Sequence, residues 1–429
     1  VEESSESLDA PATTVATESP SGQKTGETFT MLMPALPSNA DFAVYQGTAS
    51  TAVAAVWAGT ILEFKAQDDP SIQPGIDDVQ CFICESFTAD SDGNITVVLP
   101  DGLKSAYGNE ISSDDVLYTF ERVLANDFVF RFLMGVGSWN TENPITKVDD
   151  KTFVVNVTNN VPFTLGTLAW YSGAILDATE VKSHATDDDP WAKEWMAGNS
   201  ATYGPYHLSS FSSGENATLS LNPGWNKFVP TYSDVVITAV PDSATRLQAM
   251  LTGAADYTFK VDYDQLASAE GNPKVGITEA LESRSVELHL NFADEKFADK
   301  KVRQAINYAI DRDAIVKGIM GKYGAAADTQ LPEVIKAPAA PGSYTQDVEK
   351  AKALLAEAGY ADGFDMVITV NAVRPGSYAS NVALLVANQL AEIGINATIS
   401  VYPSATDFEA SIRDDSFEAW LWDSTPALS

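Results

Sequence analysis

The residues best equipped for chemistry in this 429-residue chain are few. Two cysteines, Cys81 and Cys84, stand in the order Cys-Phe-Ile-Cys, a spacing that fits a redox or metal pair. A zinc site needs four ligands, and no second Cys pair or His-x-His cluster supplies the others. The alternatives are a local disulfide or two packed thiols in a turn. The three histidines, His184, His207 and His289, sit beside no Ser-His-Asp or HExxH arrangement and read as structural or surface side chains. With 59 Asp and Glu residues, close acid pairs capable of general acid–base work arise without purpose, and Asp187-Asp188-Asp189 reads as a solvated loop run. There is no GxSxG nucleophile elbow. These residues argue against an enzyme, with an extracellular hydrolase as the remote alternative, and they call for no cofactor and no metal.

Charge narrows the partners further. The 59 acids face 26 Lys and Arg, a formal net charge of −33, so nucleic acids and acidic membrane surfaces are repelled rather than collected. Hydrophobic residues make up 45% of the chain, enough for a core of two or three domain-sized units. The lack of any run of about 18 apolar residues excludes a transmembrane helix and predicts a soluble fold.

Stepping along the chain, residues 1–28 are mainly Ser, Thr, Glu, Ala and Pro with a single Lys24. Such a segment buries too little apolar area to offset its ordering entropy, which predicts a disordered acidic tether. Phe29 to Pro34 reads as a buried strand, and Ala49 to Phe64 carries an apolar helical pattern. A turn at Ser91-Asp92-Gly93-Asn94 precedes a β-branched strand, Ile95 to Leu99. Ser112-Ser113-Asp114-Asp115 then caps a helix with Val116, Phe120 and Val123 down one face. Short strands follow at Thr152–Val157 and Ala217–Leu221, and from Val235 strands and helices alternate, as in a mixed α/β fold. Val302, Ala305, Ile306, Ala309 and Ile310 form one apolar helical stripe; Val348, Ala351, Leu354 and Leu355 form another.

Six segments, in order, resemble the solute-binding proteins that deliver oligopeptides and dipeptides to ABC importers. They are Gly47-Thr48 with the helix to Glu63-Phe64; DGLKSAYGNEISSDDVLYTFER from Asp101 to Arg122; Tyr203-Gly204-Pro205-Tyr206 with Asn222-Pro223-Gly224-Trp225; Pro241-Asp242-Ser243-Ala244-Thr245-Arg246 with Gly253 and Asp256; NFADEKFADKKVRQAINYAIDRD from Asn291 to Asp313; and EKAKALLAEAGYADG from Glu349 to Gly363. Much of their content is structural: Asp114 is expected to cap a helix, Gly204-Pro205 to turn, and Arg303 to hold a loop or helix end through an ion pair.

The resemblance implies an α/β, two-lobed periplasmic-binding-protein-like fold of type II, with an extra subdomain in the first lobe and a hinge between lobes. Its expected division is lobe I at 29–48 and 165–262, the extra subdomain at 49–164, lobe II at 263–423, and 424–429 as the start of a return to lobe I. The family normally continues beyond the equivalent of Ser429; if the chain does not, its first lobe is expected to be short of sheet partners. The implied function is capture of a peptide by hinge closure and delivery to the transmembrane subunits of an ABC permease, by a monomer. The alternative ligands are an oligosaccharide, a metal chelate or another small solute. An acidic Ser/Thr/Pro tether fits a receptor lipid-anchored at the extracellular face of a Gram-positive membrane.

A peptide receptor must hold a zwitterion's ends while tolerating its side chains. Arg374, in Asn371-Ala372-Val373-Arg374-Pro375 after the strand Met366–Val370, resembles the arginine that meets the peptide carboxylate, which its planar fork suits. Asp423 is the candidate for the ligand's amine, although the stretch Ala419 to Pro426 lacks the family's Gly-Trp. Trp420 and Trp422 flank Leu421 on an expected strand and share one face, where they either stack on ligand or pack in the core. In the first lobe Tyr45, Gln46, Gly47 and Thr48 are expected to face the ligand, the glycine permitting close backbone approach.

Overall fold

A computed structural model describes residues 27–44, 56–68, 74–126, 128, 130–161, 163–279, 284–327, 329, 344–371, 375–402 and 405–424. All but the last two residues of the tether lie outside this set, as do residues 49–55 of the expected first helix. Contacts divide the chain into two compact units, Val1–Lys65 with Ile76–Ala239 and Ala66–Gly75 with Val240–Ser429. The division at Ala239 falls before the 262/263 boundary read from the sequence.

The first unit begins with β1 (Thr28–Met33), β2 (Leu62–Phe64), β3 (Val79–Cys81), β4 (Ser86–Ala89) and β5 (Ile95–Val98). It continues through α1 (Ser113–Ala125), α2 (Phe130–Val136), β6 (Ile145–Lys147), β7 (Thr152–Val155), α3 (Phe163–Ala169), α4 (Ala178–Ser183) and α5 (Lys193–Met196), and ends with β8 (Tyr206–Ser212), β9 (Asn216–Leu221) and β10 (Asp234–Ala239). β1 lies parallel to β10, with Phe29 opposite Val235, while β10, β9 and β8 pair antiparallel in that order. Alternation does the sorting. Ala217 and Leu219 of β9 and Val235 and Ile237 of β10 are buried, and the residues between them are less so. A second sheet orders β4-β5-β7-β6. One hydrophobic core runs from Ile95, Val97, Phe120 and Phe153 through Leu168, Val181 and Tyr203.

Two local readings need correction. Leu62–Phe64, expected to close a helix, is instead strand β2, paired antiparallel with β3 through Leu62 and Cys81. A short apolar run has no period long enough to tell strand from helix, and the partner strand decides. Directly after β3, Cys81 and Cys84 are joined in a disulfide with Cα atoms 5.0 Å apart. At α1 the cap is Ser112, whose backbone N–H donates to the Asp115 carboxylate at 2.8 Å. Asp114 pairs instead with Lys147 at 2.9 Å, because the third residue after the cap, not the second, reaches back to the capping N–H. Gly204 is required where it stands: a Cβ there would lie 2.3 Å from the Trp57 carbonyl oxygen.

The second unit contains α6 (Ser243–Thr252), β11 (Tyr257–Thr258), α7 (Tyr263–Leu266), β12 (Ser285–Leu290), α8 (Glu295–Ala298), α9 (Lys300–Ala309) and α10 (Arg312–Ile319). It continues with α11 (Val348–Glu357), β13 (Phe364–Val370), α12 (Ala379–Ala391), β14 (Ile395–Val401), α13 (Ala405–Arg413) and β15 (Ala419–Ser424). Its sheet orders β12-β15-β13-β14. The α9 stripe of Val302, Ala305, Ile306 and Ala309 packs into one core with Ala351 and Leu355 of α11 and Ile368 and Val370 of β13. Arg303 corrects its expectation in part. It does hold a helix end, donating to the carbonyls of Phe297 and Ala298 at 2.7 and 2.8 Å and lying over the Phe292 ring, but carbonyl oxygens rather than a carboxylate take its donors.

Candidate functional site

Strand polarity in the second unit brings the end of β13 that leads to Arg374 and the end of β15 that carries Asp423 to one edge of its sheet. β13 runs parallel to β14, from Phe364 opposite Ile395 to Val370 opposite Val401, and parallel to β15 at Ile368 and Thr369. β12 is antiparallel to β15, with Ser285 opposite Ser424. The carboxyl ends of β13, β14 and β15 therefore share an edge with the amino end of β12. In open α/β sheets that edge is where ligands sit.

β13 leaves this edge through Asn371, which is buried and donates from Nδ2 to the Tyr402 carbonyl at 2.8 Å, while Tyr402 N–H returns a bond to the Val370 carbonyl at 2.8 Å. Asn371 and Pro375 bridge the base of the next loop. Arg374, between them, lies outside the described residues. On β15 the period of two puts Ala419, Leu421 and Asp423 on the buried face and Trp420 and Trp422 on the other. Trp420 stacks on His289 of β12, ring centroids 5.2 Å apart and planes 16° apart, and Trp422 lies 6.0 Å from the Phe408 ring. Both indoles thus have aromatic neighbours within their own unit.

Asp423 is fully buried. A carboxylate on a core face survives only with a compensating cation, since an uncompensated buried charge costs several kcal/mol. Arg284, the residue before β12, provides it: Arg284 Nη1 donates to Asp423 Oδ2, and the arginine side chain keeps 22% of its surface exposed. The resemblance named Asp423 and did not name Arg284, which belongs to none of the resembling segments. Its position one residue before a strand antiparallel to β15 was the usable signal, legible only once that pairing was known.

The first-unit candidates Tyr45, Gln46, Gly47 and Thr48 lie outside the described residues. The chain leading to them is pinned firmly. Asp41, 1% exposed, receives Arg122 of α1 at 2.6 Å and also accepts the Ala43 N–H. Arg122 donates in addition to the Trp191 carbonyl at 3.0 Å. A second buried arginine, Arg246 of α6, ties Val240, Pro241 and Lys260 together through their carbonyls at 2.7–2.8 Å, and burial pulls its pKa below the ordinary arginine value. An open cavity of about 190 Å³ next to Tyr323, lined also by Glu270, Val275, Ile277 and Lys322, includes none of the candidates. Among the described residues no group of three or more His, Cys, Asp or Glu side chains is placed to hold a metal ion, and no helix is long and apolar enough to cross a membrane.

Comparison with known proteins gives this geometry its context. Residues 79–429 match the family model of the bacterial extracellular solute-binding proteins, family 5 (middle region). The glutathione-binding protein GsiB of Salmonella paratyphi A is 26% identical over 329 residues, covering 75% of this chain and 61% of the relative. The chain thus spans about three-fifths of the length of the curated relatives it matches. Among solved structures, Helicobacter pylori DppA in complex with the peptide STSA superposes with a TM-score of 0.79 at 22% identity, over 94% of this chain and 78% of that one. Staphylococcus aureus NikA in complex with Ni(L-His)2 gives a TM-score of 0.73 at 19% identity, over 93% and 78%. With the family model covering well over half of the sequence and the fold shared with both structures, the chain belongs to the bacterial extracellular solute-binding proteins of family 5 and has their mixed α/β, periplasmic-binding-protein-like fold.

Proposed function

We propose that this chain is the extracytoplasmic receptor of an ABC importer, binding a peptide and passing it to the permease without making or breaking a bond. The observation that carries the peptide reading is the convergence on one sheet edge of the buried Asp423 carboxylate and the end of β13 that leads to Arg374. Arg374 suits the carboxylate end of a peptide, and Asp423, already paired with Arg284, is the candidate for the other end. Tyr45, Gln46, Gly47 and Thr48 remain the first-unit contacts of this reading, with Trp420 and Trp422 beside the ligand. Closure of two lobes over the ligand follows from contacts made to both, and a lipid anchor at the extracellular membrane face completes the proposal.

A second reading, a metal chelate or other small solute, is favoured by the Ni(L-His)2 complex of a protein with the same fold. A thermal-shift screen of di- to octapeptides, glutathione, oligosaccharides and nickel–histidine separates the two, because a ligand that binds only the native state raises Tm. The expected result is a rise of several degrees with peptides that shrinks in Arg374→Ala. A rise with the chelate or sugars alone, indifferent to Arg374, replaces the peptide.

A further inference from the structure

We infer that Arg284 is a built-in substitute for a ligand ammonium group on Asp423, and that it tunes the chain toward ligands lacking a cation at that end. The inference rests on the proposed reading of Asp423 as the residue that faces the ligand amine. Asp423 sits on the core face of β15, opposite Val286, and its side chain is fully buried. Its carboxylate is bonded to the Arg284 guanidinium from within the same unit. The arginine side chain keeps 22% exposure where the aspartate keeps none. Of the two side chains, only the guanidinium keeps exposed surface.

Two consequences follow from charge alone. An incoming ammonium must exchange with a guanidinium already in place, so the attraction it gains is offset by the pair it breaks. Guanidinium is the more weakly hydrated cation, so its release to water returns less than the ammonium loses on leaving it. A ligand whose end is acylated, or that has no amine, leaves the pair intact and meets no such exchange. The same residue that compensates Asp423 thus discriminates against free amines, which makes Arg284 a specificity-determining residue rather than only a structural counter-ion.

Equilibrium dialysis of the full chain against a random tetrapeptide pool with free amines and the same pool N-acetylated, quantified by mass spectrometry, tests this. Wild type is expected to retain the acetylated pool at least as well as the free pool. Arg284→Gln should raise the free-to-acetylated ratio by about tenfold, the equivalent of about 1.4 kcal/mol, and Arg284→Lys, which keeps a cation on Asp423, should hold the wild-type ratio. A purely structural ion pair would lower Tm in Arg284→Gln and leave the ratio unmoved, which overturns the inference. If that variant does not fold, the wild-type ratio decides: a preference of about tenfold or more for free amines also overturns it. Retention of neither pool by wild type removes the peptide reading itself and the inference with it, a result distinct from an unmoved ratio between pools that do bind.

Discussion

Asp41 and Arg122 are each about 1% exposed and meet at 2.6 Å, so the pair has given up its hydration and must be judged as a unit. Arg122→Met leaves the Asp41 charge buried without its cation and should cost about 3–5 kcal/mol in urea unfolding. Adding Asp41→Leu removes the orphaned charge and should recover most of that loss; a double variant no better than the single one refutes this account. Arg122 was visible in the sequence as the last residue of a family-like segment, but a charge on a helix reads as solvent-facing unless its partner, here 81 residues earlier, is known. Asp115 makes a different case. Burial pushes its carboxyl above the ordinary carboxylate range, outweighing the bonds it accepts from Ala178 and Ser112. The folded chain therefore holds this proton more tightly than the unfolded chain. Its stabilising contribution is complete below the unfolded carboxylate pKa and is lost as pH rises through the raised folded value. Asp115→Asn should be less stable by about 1–3 kcal/mol, having lost an acceptor for buried donors. Its stability should also fall less than wild type's between about pH 4 and pH 7, and equal slopes in the two proteins would count against the assignment.

At the scale of elements, the acid surplus has a structural use. The side chains of Asp177, Asp242, Asp294, Asp299, Asp311 and Asp347 each accept a backbone N–H at the start of a helix, where a negative charge also answers the helix dipole. Asp347→Ala, which removes the bond to the Lys350 N–H at 2.9 Å, should therefore destabilise α11 by about 1 kcal/mol. Urea unfolding of the variant checks it, and an unchanged midpoint would mean that water or a neighbour replaces the cap. Elements with a full period were legible in advance: the α9 stripe buries Val302, Ala305, Ile306 and Ala309 as read, and β13 and β15 cover the strands expected at Met366–Val370 and around Leu421. What escaped reading was set by partners distant in sequence. Leu62–Phe64 is a strand because β3 lies beside it, and Arg284 meets Asp423 across 139 residues because β12 and β15 pair. Of the proposed site, Asp423 and the strand leading to Arg374 were named through the family resemblance, but the cation on Asp423 lies outside every resembling segment.

Taken as a whole molecule, a chain with 59 acids, 26 Lys and Arg and a net charge of −33 folds against its own field. The exposed pairs, such as Lys147 with Asp114 and Lys301 with Glu357, are attractive but worth little each, and most acids have no cation to meet. Net repulsion among surface carboxylates acts over the Debye length, about 30 Å at 0.01 M salt and about 8 Å at 0.15 M. Compacting the chain brings those charges together, so the folded state suffers more from the repulsion than the expanded one. Raising NaCl from about 0.01 M to about 0.15 M at neutral pH should therefore raise Tm, in the direction opposite to that expected of a protein held by surface ion pairs. The buried Asp41–Arg122 and Asp423–Arg284 pairs lie where salt screens poorly, so the penalty for Arg122→Met should be the same at both salt concentrations. A Tm that falls with salt would show that the attractive surface pairs outweigh the surplus of acids, and would remove self-repulsion as the force that limits this fold.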